Sequence, residues 1–167
     1  MKSNYIVRAT KFMEQFYPYL YKYDIEKAVT LFNNDKHRSV IYRHGIARRV
    51  LITSDYVVKW DFNKKNCKVF GGCVDEYNRY LKLKDTNYSY LFAEITPIRI
   101  KNRTFYVMPR VDYLGVDVNK DIYEVLEPDE YDFICDYGIG DIHDENWGYF
   151  HGVPLIIDYA CGCESAS

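Results

Sequence analysis

Residues 138–160 read GIGDIHDENWGYFHGVPLIIDYA, from Gly138 to Ala160. The first part is unusually polar, with Asp141, His143, Asp144, Glu145 and Asn146 close together. The second part is an apolar run, Val153 to Ile157, that ends in the carboxylate of Asp158. His151-Gly152 supplies a turn between two short apolar stretches, so Trp147–Phe150 and Val153–Asp158 are predicted to pair as a hairpin. A carboxylate that closes a buried strand needs a partner, because burying an unpaired charge is costly. On such a hairpin Asn146 and Asp158 lie on opposite arms at the open end. Their side-chain oxygens can converge on one Mg²⁺, a hard cation that prefers oxygen ligands. Asp141 precedes Asn146 by five residues and is the candidate to take a proton from an attacking hydroxyl.

Working outward, Gly138–Trp147 reads as a loop and Tyr131–Tyr137 as a helix, with an acidic, irregular stretch from Gly115 to Asp129 before it. Further upstream the apolar period is two. Ser39–Tyr42, Ile46–Thr53 and Tyr56–Phe62 read as strands, with turns at Arg43-His44-Gly45 and Ser54-Asp55. Asn63–Gly72 is a polar loop and Val74–Leu83 a short helix. Tyr90–Thr96 and Thr104–Val111 read as two more strands with a turn near Lys101-Asn102. At the start of the chain the period is that of a helix. Phe12, Phe16 and Leu20 share one face, as do Ile25, Val29 and Phe32, and Asp24 is placed to cap the second helix. The order is mixed α+β with mostly antiparallel strands.

Hydrophobic residues make up 48% of the 167 and charged residues 28%, the balance of a soluble globular chain. A formal net charge of −2 argues against a general nucleic-acid coat, which needs a basic excess. The N-terminal residues lack an apolar run of signal-peptide or transmembrane length. The five cysteines are odd in number and irregular in spacing, so reduced thiols in a cytoplasmic setting are expected. Cys161-Gly-Cys163 is at most half of a metal or redox site. Phage or viral origin, with the host cytoplasm as the location, is suggested by compactness and by the abundance of Tyr and Asn.

The run Ile139–Asn146 resembles the catalytic loop of the protein-kinase-like superfamily, closest to the aminoglycoside- and choline-kinase branch. The spacing from Asp141 to Asn146 is similar to that of the protein-kinase loop. The resemblance implies a catalytic base at Asp141 and metal ligands at Asn146 and Asp158. Tyr56–Trp60 resembles the strand whose Lys, here Lys59, holds the nucleotide phosphates. Glu76, or alternatively Asp75, falls where the following helix supplies an ion-pair partner for that Lys. Phe105–Arg110 resembles the strand that runs into the hinge, where backbone groups from Met108 through Arg110 to Val111 meet the adenine. The implied fold is a reduced protein-kinase-like one. Residues 1–110 would hold the N-terminal helices and a five-stranded antiparallel N-lobe with an inserted helix. Residues 111–167 would form a very small C-lobe with the catalytic loop and hairpin, in one compact unit. The implied cofactors are ATP and Mg²⁺, and the implied activity is phosphoryl transfer to a Ser, Thr or Tyr of a host protein or to a small-molecule hydroxyl. The family's Gly-rich flap is reduced to Gly45, and Arg48 and Arg49 are the residues that would compensate by charge.

Plainer readings stand beside these. Lys59 can point to solvent from an edge strand, Glu76 can be an exposed helix charge, and Met108 can fill the core. Asp158 can cap a turn. Two further functions are carried forward. One is a kinase-derived protein that acts by binding a partner such as a host protein, with Tyr supplying contact area. The other is a metal-dependent hydrolase built on Asp141, His143, Asp144 and Glu145. No membrane partner is expected in any of the three.

Overall fold

The structure is a computed structural model that describes residues 4–45, 47–62, 71–111, 122–139 and 146–159. Two helices open the chain, α1 (Asn4–Lys22) and α2 (Ile25–Lys36). In α1, Ile6, Ala9, Phe12, Met13 and Phe16 recur at helical spacing and are buried. Asp24 caps α2: its Oδ1 accepts the Lys27 N–H at 3.0 Å. At the other end His37 adopts a left-handed conformation and returns its N–H to the Asn33 carbonyl.

Five strands follow, β1 (Ile41–His44), β2 (Arg48–Ile52), β3 (Tyr56–Asp61), β4 (Thr96–Ile100) and β5 (Arg103–Pro109). They form one antiparallel sheet in the order β1-β2-β3-β5-β4. Helix α3 (Cys73–Leu83) is inserted between β3 and β4. Helix α4 (Pro128–Asp136) comes next, and strands β6 (Trp147–Phe150) and β7 (Val153–Ile156) pair as a separate antiparallel hairpin. The hairpin turns at His151 and Gly152, both with positive φ, as the twist of a two-residue loop demands. The fold is therefore α+β.

Three expected elements lie elsewhere. Strand β1 runs to His44, so Arg43 and His44 pair with β2 instead of forming the turn. Tyr90–Thr96 is not a strand: Ser89–Leu91 makes a 3₁₀ turn, and β4 begins only at Thr96. The apolar run Leu91, Phe92, Ala93 and Ile95 is buried as a floor under the hairpin. Phe92 bridges Ile156 in parallel, and the Ala93 N–H donates to the Ile156 carbonyl at 2.9 Å. Strand β4 tolerates Pro97 because it lies at the sheet edge, where a missing ladder donor is least costly. Helix α4 starts at Pro128 rather than Tyr131, because Pro suits the first helical turn and the Glu130 carboxylate takes the Glu127 N–H.

The sheet separates two cores. On one face α1 and α2 pack against Leu51, Val58, Trp60, Ile98, Ile100, Phe105 and Val107. On the other, Tyr106 and Met108 join α3, the Leu91–Ile95 run, Ile134 of α4, and Trp147, Leu155, Ile156 and Tyr159 of the hairpin region. Among the described residues no helix is long and apolar enough to cross a membrane.

Candidate functional site

The period of two within each strand decides which side chains meet. Lys59 pairs with Val50 on β2 and Tyr106 on β5. Its neighbours Val58 and Trp60 turn into the helix-covered core, so Val57, Lys59 and Asp61 face the opposite way. On β2 the pairing Arg48 to Asp61 puts Arg48 on that same face, and Arg49 on the other. Arg49 indeed lies over the Phe62 ring, 3.6 Å from its centroid.

Helix α3 is anchored beside this face. Its first residue, Cys73, donates its N–H to Asp61 Oδ1 at 2.7 Å. Asp75 turns back to accept the Gly72 N–H at 2.8 Å, a capping role. Glu76, one residue on, points inward and is 1% exposed. Lys59, 7% exposed, places its Nζ 3.1 Å from Glu76 Oε1 and donates to the Ile157 carbonyl at 2.7 Å. Of the two acidic candidates on α3, it is thus Glu76 that meets Lys59.

The open end of the hairpin supplies the rest. The Asn146 carbonyl accepts the N–H groups of Ile157 at 2.8 Å and Asp158 at 3.4 Å, which holds these positions side by side across the two arms. Asn146 is buried. Asp158 meets Arg48 in a bidentate pair, Nη1 to Oδ1 at 2.9 Å and Nη2 to Oδ2 at 2.8 Å. Arg48 Nη1 also lies 3.3 Å from Glu76 Oε2, and the Tyr159 N–H reaches Glu76 Oε1 at 3.4 Å. Tyr159 itself is buried and donates its hydroxyl to the Ala93 carbonyl at 2.7 Å.

Lys59 and Arg48 formally balance Glu76 and Asp158. Burial pushes the Glu76 carboxyl upward, against the pull of Lys59. Burial also works against the Arg48 charge, but Asp158 and then Glu76 more than offset it, and the guanidinium is held above its ordinary value.

An apolar cavity of about 30 Å³ opens beside Lys59. Ile52 and Val57 line it from the sheet, Met108 through Val111 from the end of β5, and Ile157 from the hairpin. Arg110 donates from its guanidinium to the Thr53 carbonyl at 2.9 Å and from its backbone N–H to the Asp55 carbonyl at 3.2 Å. Both bonds tie the end of β5 to the β2–β3 turn.

Lys59, Glu76, Asn146 and Asp158 thus gather around one cleft, with Met108 and Arg110 at its apolar end. Asp141, His143, Asp144 and Glu145 lie outside the described residues, as do Cys161 and Cys163. Among the described residues no three His, Cys, Asp or Glu side chains form a metal-binding group. Sequence reasoning named Arg48 only beside Arg49, as a source of charge, and overlooked its pairing with Asp158. The alternation along β2, counted against Lys59, is the signal that separates the two arginines. Set against known family models, curated proteins and solved structures, the chain has no match.

Proposed function

We propose that the chain is an ATP- and Mg²⁺-dependent phosphotransferase of reduced protein-kinase-like build. The observation that carries the reading is the buried Lys59–Glu76 pair, set one residue from Asp158 through the Lys59 bond to the Ile157 carbonyl. A strand Lys paired with a helix Glu beside a metal-binding Asp is the constellation that phosphoryl transfer in kinases requires. Glu76 holds the Lys59 side chain beside the cavity, where it would meet phosphate oxygens. The purine would lie against Ile52, Val57 and Met108, which requires the slot of about 30 Å³ between them to widen first. Pro109 offers no N–H and that of Arg110 is taken by Asp55, so carbonyl oxygens of this segment and the Val111 N–H are left to meet the base edge.

Asn146 and Asp158 are the residues that would hold a hard cation, since the bonds of the Asn146 carbonyl to the Ile157 and Asp158 N–H groups set the two residues side by side at the open end of the hairpin. Bound there, Mg²⁺ would neutralise charge developing on the transferred group. Asp141 would orient the acceptor hydroxyl and accept its proton. The acceptor is a hydroxyl of a small molecule or of a Ser, Thr or Tyr in a host protein.

Two measurements test this. Mg-ATP at millimolar concentration should raise the melting temperature, because a ligand that binds only the folded state stabilises it. Asp141→Ala should lower transfer of labelled phosphate by roughly 10²- to 10⁴-fold, the share of a positioned base, while leaving the Mg-ATP melting shift in place. Transfer unchanged by that substitution would refute the role of Asp141.

One observation favours a second reading, a kinase-derived protein that acts by binding. Lys59, Arg48, Glu76 and Asp158 already satisfy one another, so the cleft can serve stability alone. Exposed Tyr21, Tyr90 and Tyr131 would offer contact area to a partner. Absence of any Mg-ATP shift decides for this reading.

A further inference from the structure

We propose that Arg48 is the resident counter-cation of the site: it holds both carboxylate oxygens of Asp158 and thereby keeps a divalent metal out until a polyphosphate arrives with it. The idea rests on the phosphotransferase reading for the identity of the arriving ligand, but its metal-excluding half stands on the geometry alone.

Three observations carry it. The contact is fork to fork, with Nη1 on Oδ1 at 2.9 Å and Nη2 on Oδ2 at 2.8 Å, so Arg48 engages both oxygens that a cation would use. The same guanidinium lies 3.3 Å from Glu76, which makes it the bridge between the acid of α3 and the acid of the hairpin. Lastly, the register of β2 against β3 points Arg48, and not Arg49, at the site. The guanidinium is planar and pre-organised for two parallel bonds to a carboxylate, which an ammonium cannot supply.

Charge arithmetic then sets the order of events. Among the described residues, the two cations and two carboxylates that pair here sum to zero. A divalent ion entering alone would have to displace Arg48 from Asp158 and leave a large positive excess in a partly buried site, where screening is weak. A polyphosphate entering with the metal reverses the sign of the balance. It also gives the released Arg48 new oxygen partners, to which guanidinium groups bind well. Arg48 opens β2 directly after the β1–β2 turn, so a change of side-chain rotamer is enough to leave Asp158 while the strand stays paired. In this scheme Arg48 acts as a positioning residue that exchanges one set of oxygens for another.

The test uses the purified full chain and Mn²⁺ with no nucleotide. Free Mn²⁺ is followed by electron paramagnetic resonance and the fold by melting temperature. Arg48→Met should bind Mn²⁺ about tenfold tighter than the unaltered chain, the scale on which a close charge pair couples to binding. Its melting temperature should rise on adding Mn²⁺ while that of the unaltered chain stays put. Adding Asp158→Asn to Arg48→Met should remove the gain. Mn²⁺ affinity in Arg48→Met equal to or below that of the unaltered chain overturns the proposal. If Arg48→Met fails to fold, Arg48→Lys keeps the charge and loses the fork; a smaller gain in Mn²⁺ affinity supports the idea, and no gain overturns it. The unaltered chain is melted with Mg-ATP in parallel. Mn²⁺ gain without a Mg-ATP shift keeps the counter-cation and removes the phosphotransferase reading, whereas a Mg-ATP shift without Mn²⁺ gain does the reverse.

Discussion

The two faces of the five-stranded sheet draw on alternate residues of the same strands, yet one is an apolar core, whereas the other sets a charged cleft beside a second apolar core. On the first face Trp60 and Phe105 meet edge to face at 5.6 Å, beneath an aromatic cluster in which Phe32 contacts Phe12 and Phe16, each at 5.3 Å. On the second, Lys59 and Arg48 meet Glu76 and Asp158. Burial of apolar rings is reliably favourable, whereas buried ion pairs often gain little net stability once desolvation is counted. The contrast teaches that one face can carry the stability that lets the other keep an energetically costly constellation.

Four experiments would break or sharpen that contrast. The largest loss is expected from Phe32→Ala on the helix-covered face, about 3–5 kcal/mol by urea denaturation, because a fully buried ring leaves a cavity. Affinity for Mg-ATP, measured well below the melting temperature, should not follow; a parallel fall would mean that the two faces are not separable.

Lys59→Met should cost about 3 kcal/mol, since it leaves Glu76 buried with only part of its compensation. The double variant Lys59→Met, Glu76→Leu should recover most of that loss in the same denaturation assay. It should still show no melting shift with Mg-ATP. Recovery of both properties would show that the pair has no role beyond packing.

Away from both faces, Asp24→Ala should cost about 1 kcal/mol through the lost α2 cap, read by thermal melting, with no change in any binding measurement. The smallest effect concerns thiol chemistry. Cys135 is exposed and Cys73 is buried in the core at the start of α3, where burial pushes its thiol up and suppresses the reactive thiolate. Native labelling with iodoacetamide, mapped by mass spectrometry, should modify Cys135 and spare Cys73. Prompt modification of Cys73 would show that the packing around the start of α3 opens readily.

Much of the fold was readable because the relevant signals are local. The period of two in Tyr56–Phe62, the turn residues at Ser54-Asp55 and His151-Gly152, and the helical spacing of Phe12 and Phe16 each depend on near neighbours. Strand β4 was misplaced for the opposite reason. Leu91, Phe92 and Ala93 are apolar enough for a strand, but they lie against the hairpin through Ile156, a partner far along the chain. Pro97 becomes acceptable only because β4 ends up at an edge. In the site, Lys59 and Glu76 could be nominated by their order along the chain, while the choice between Glu76 and Asp75 depended on which carboxylate the Gly72 N–H would take.

The sequence by itself determined that β2 presents one arginine to each side of the sheet, because alternation is a property of the extended backbone. It also determined that a hairpin would carry Asn146 and Asp158 at its open end. Only the tertiary structure decided that Arg48 is the arginine that meets Asp158, 110 positions away in the chain. Nothing local to either residue encodes that distance. It follows from the packing of the hairpin onto the Leu91–Ile95 floor and from the register of β2 on β3, which together bring the two charges into contact in a partly buried site.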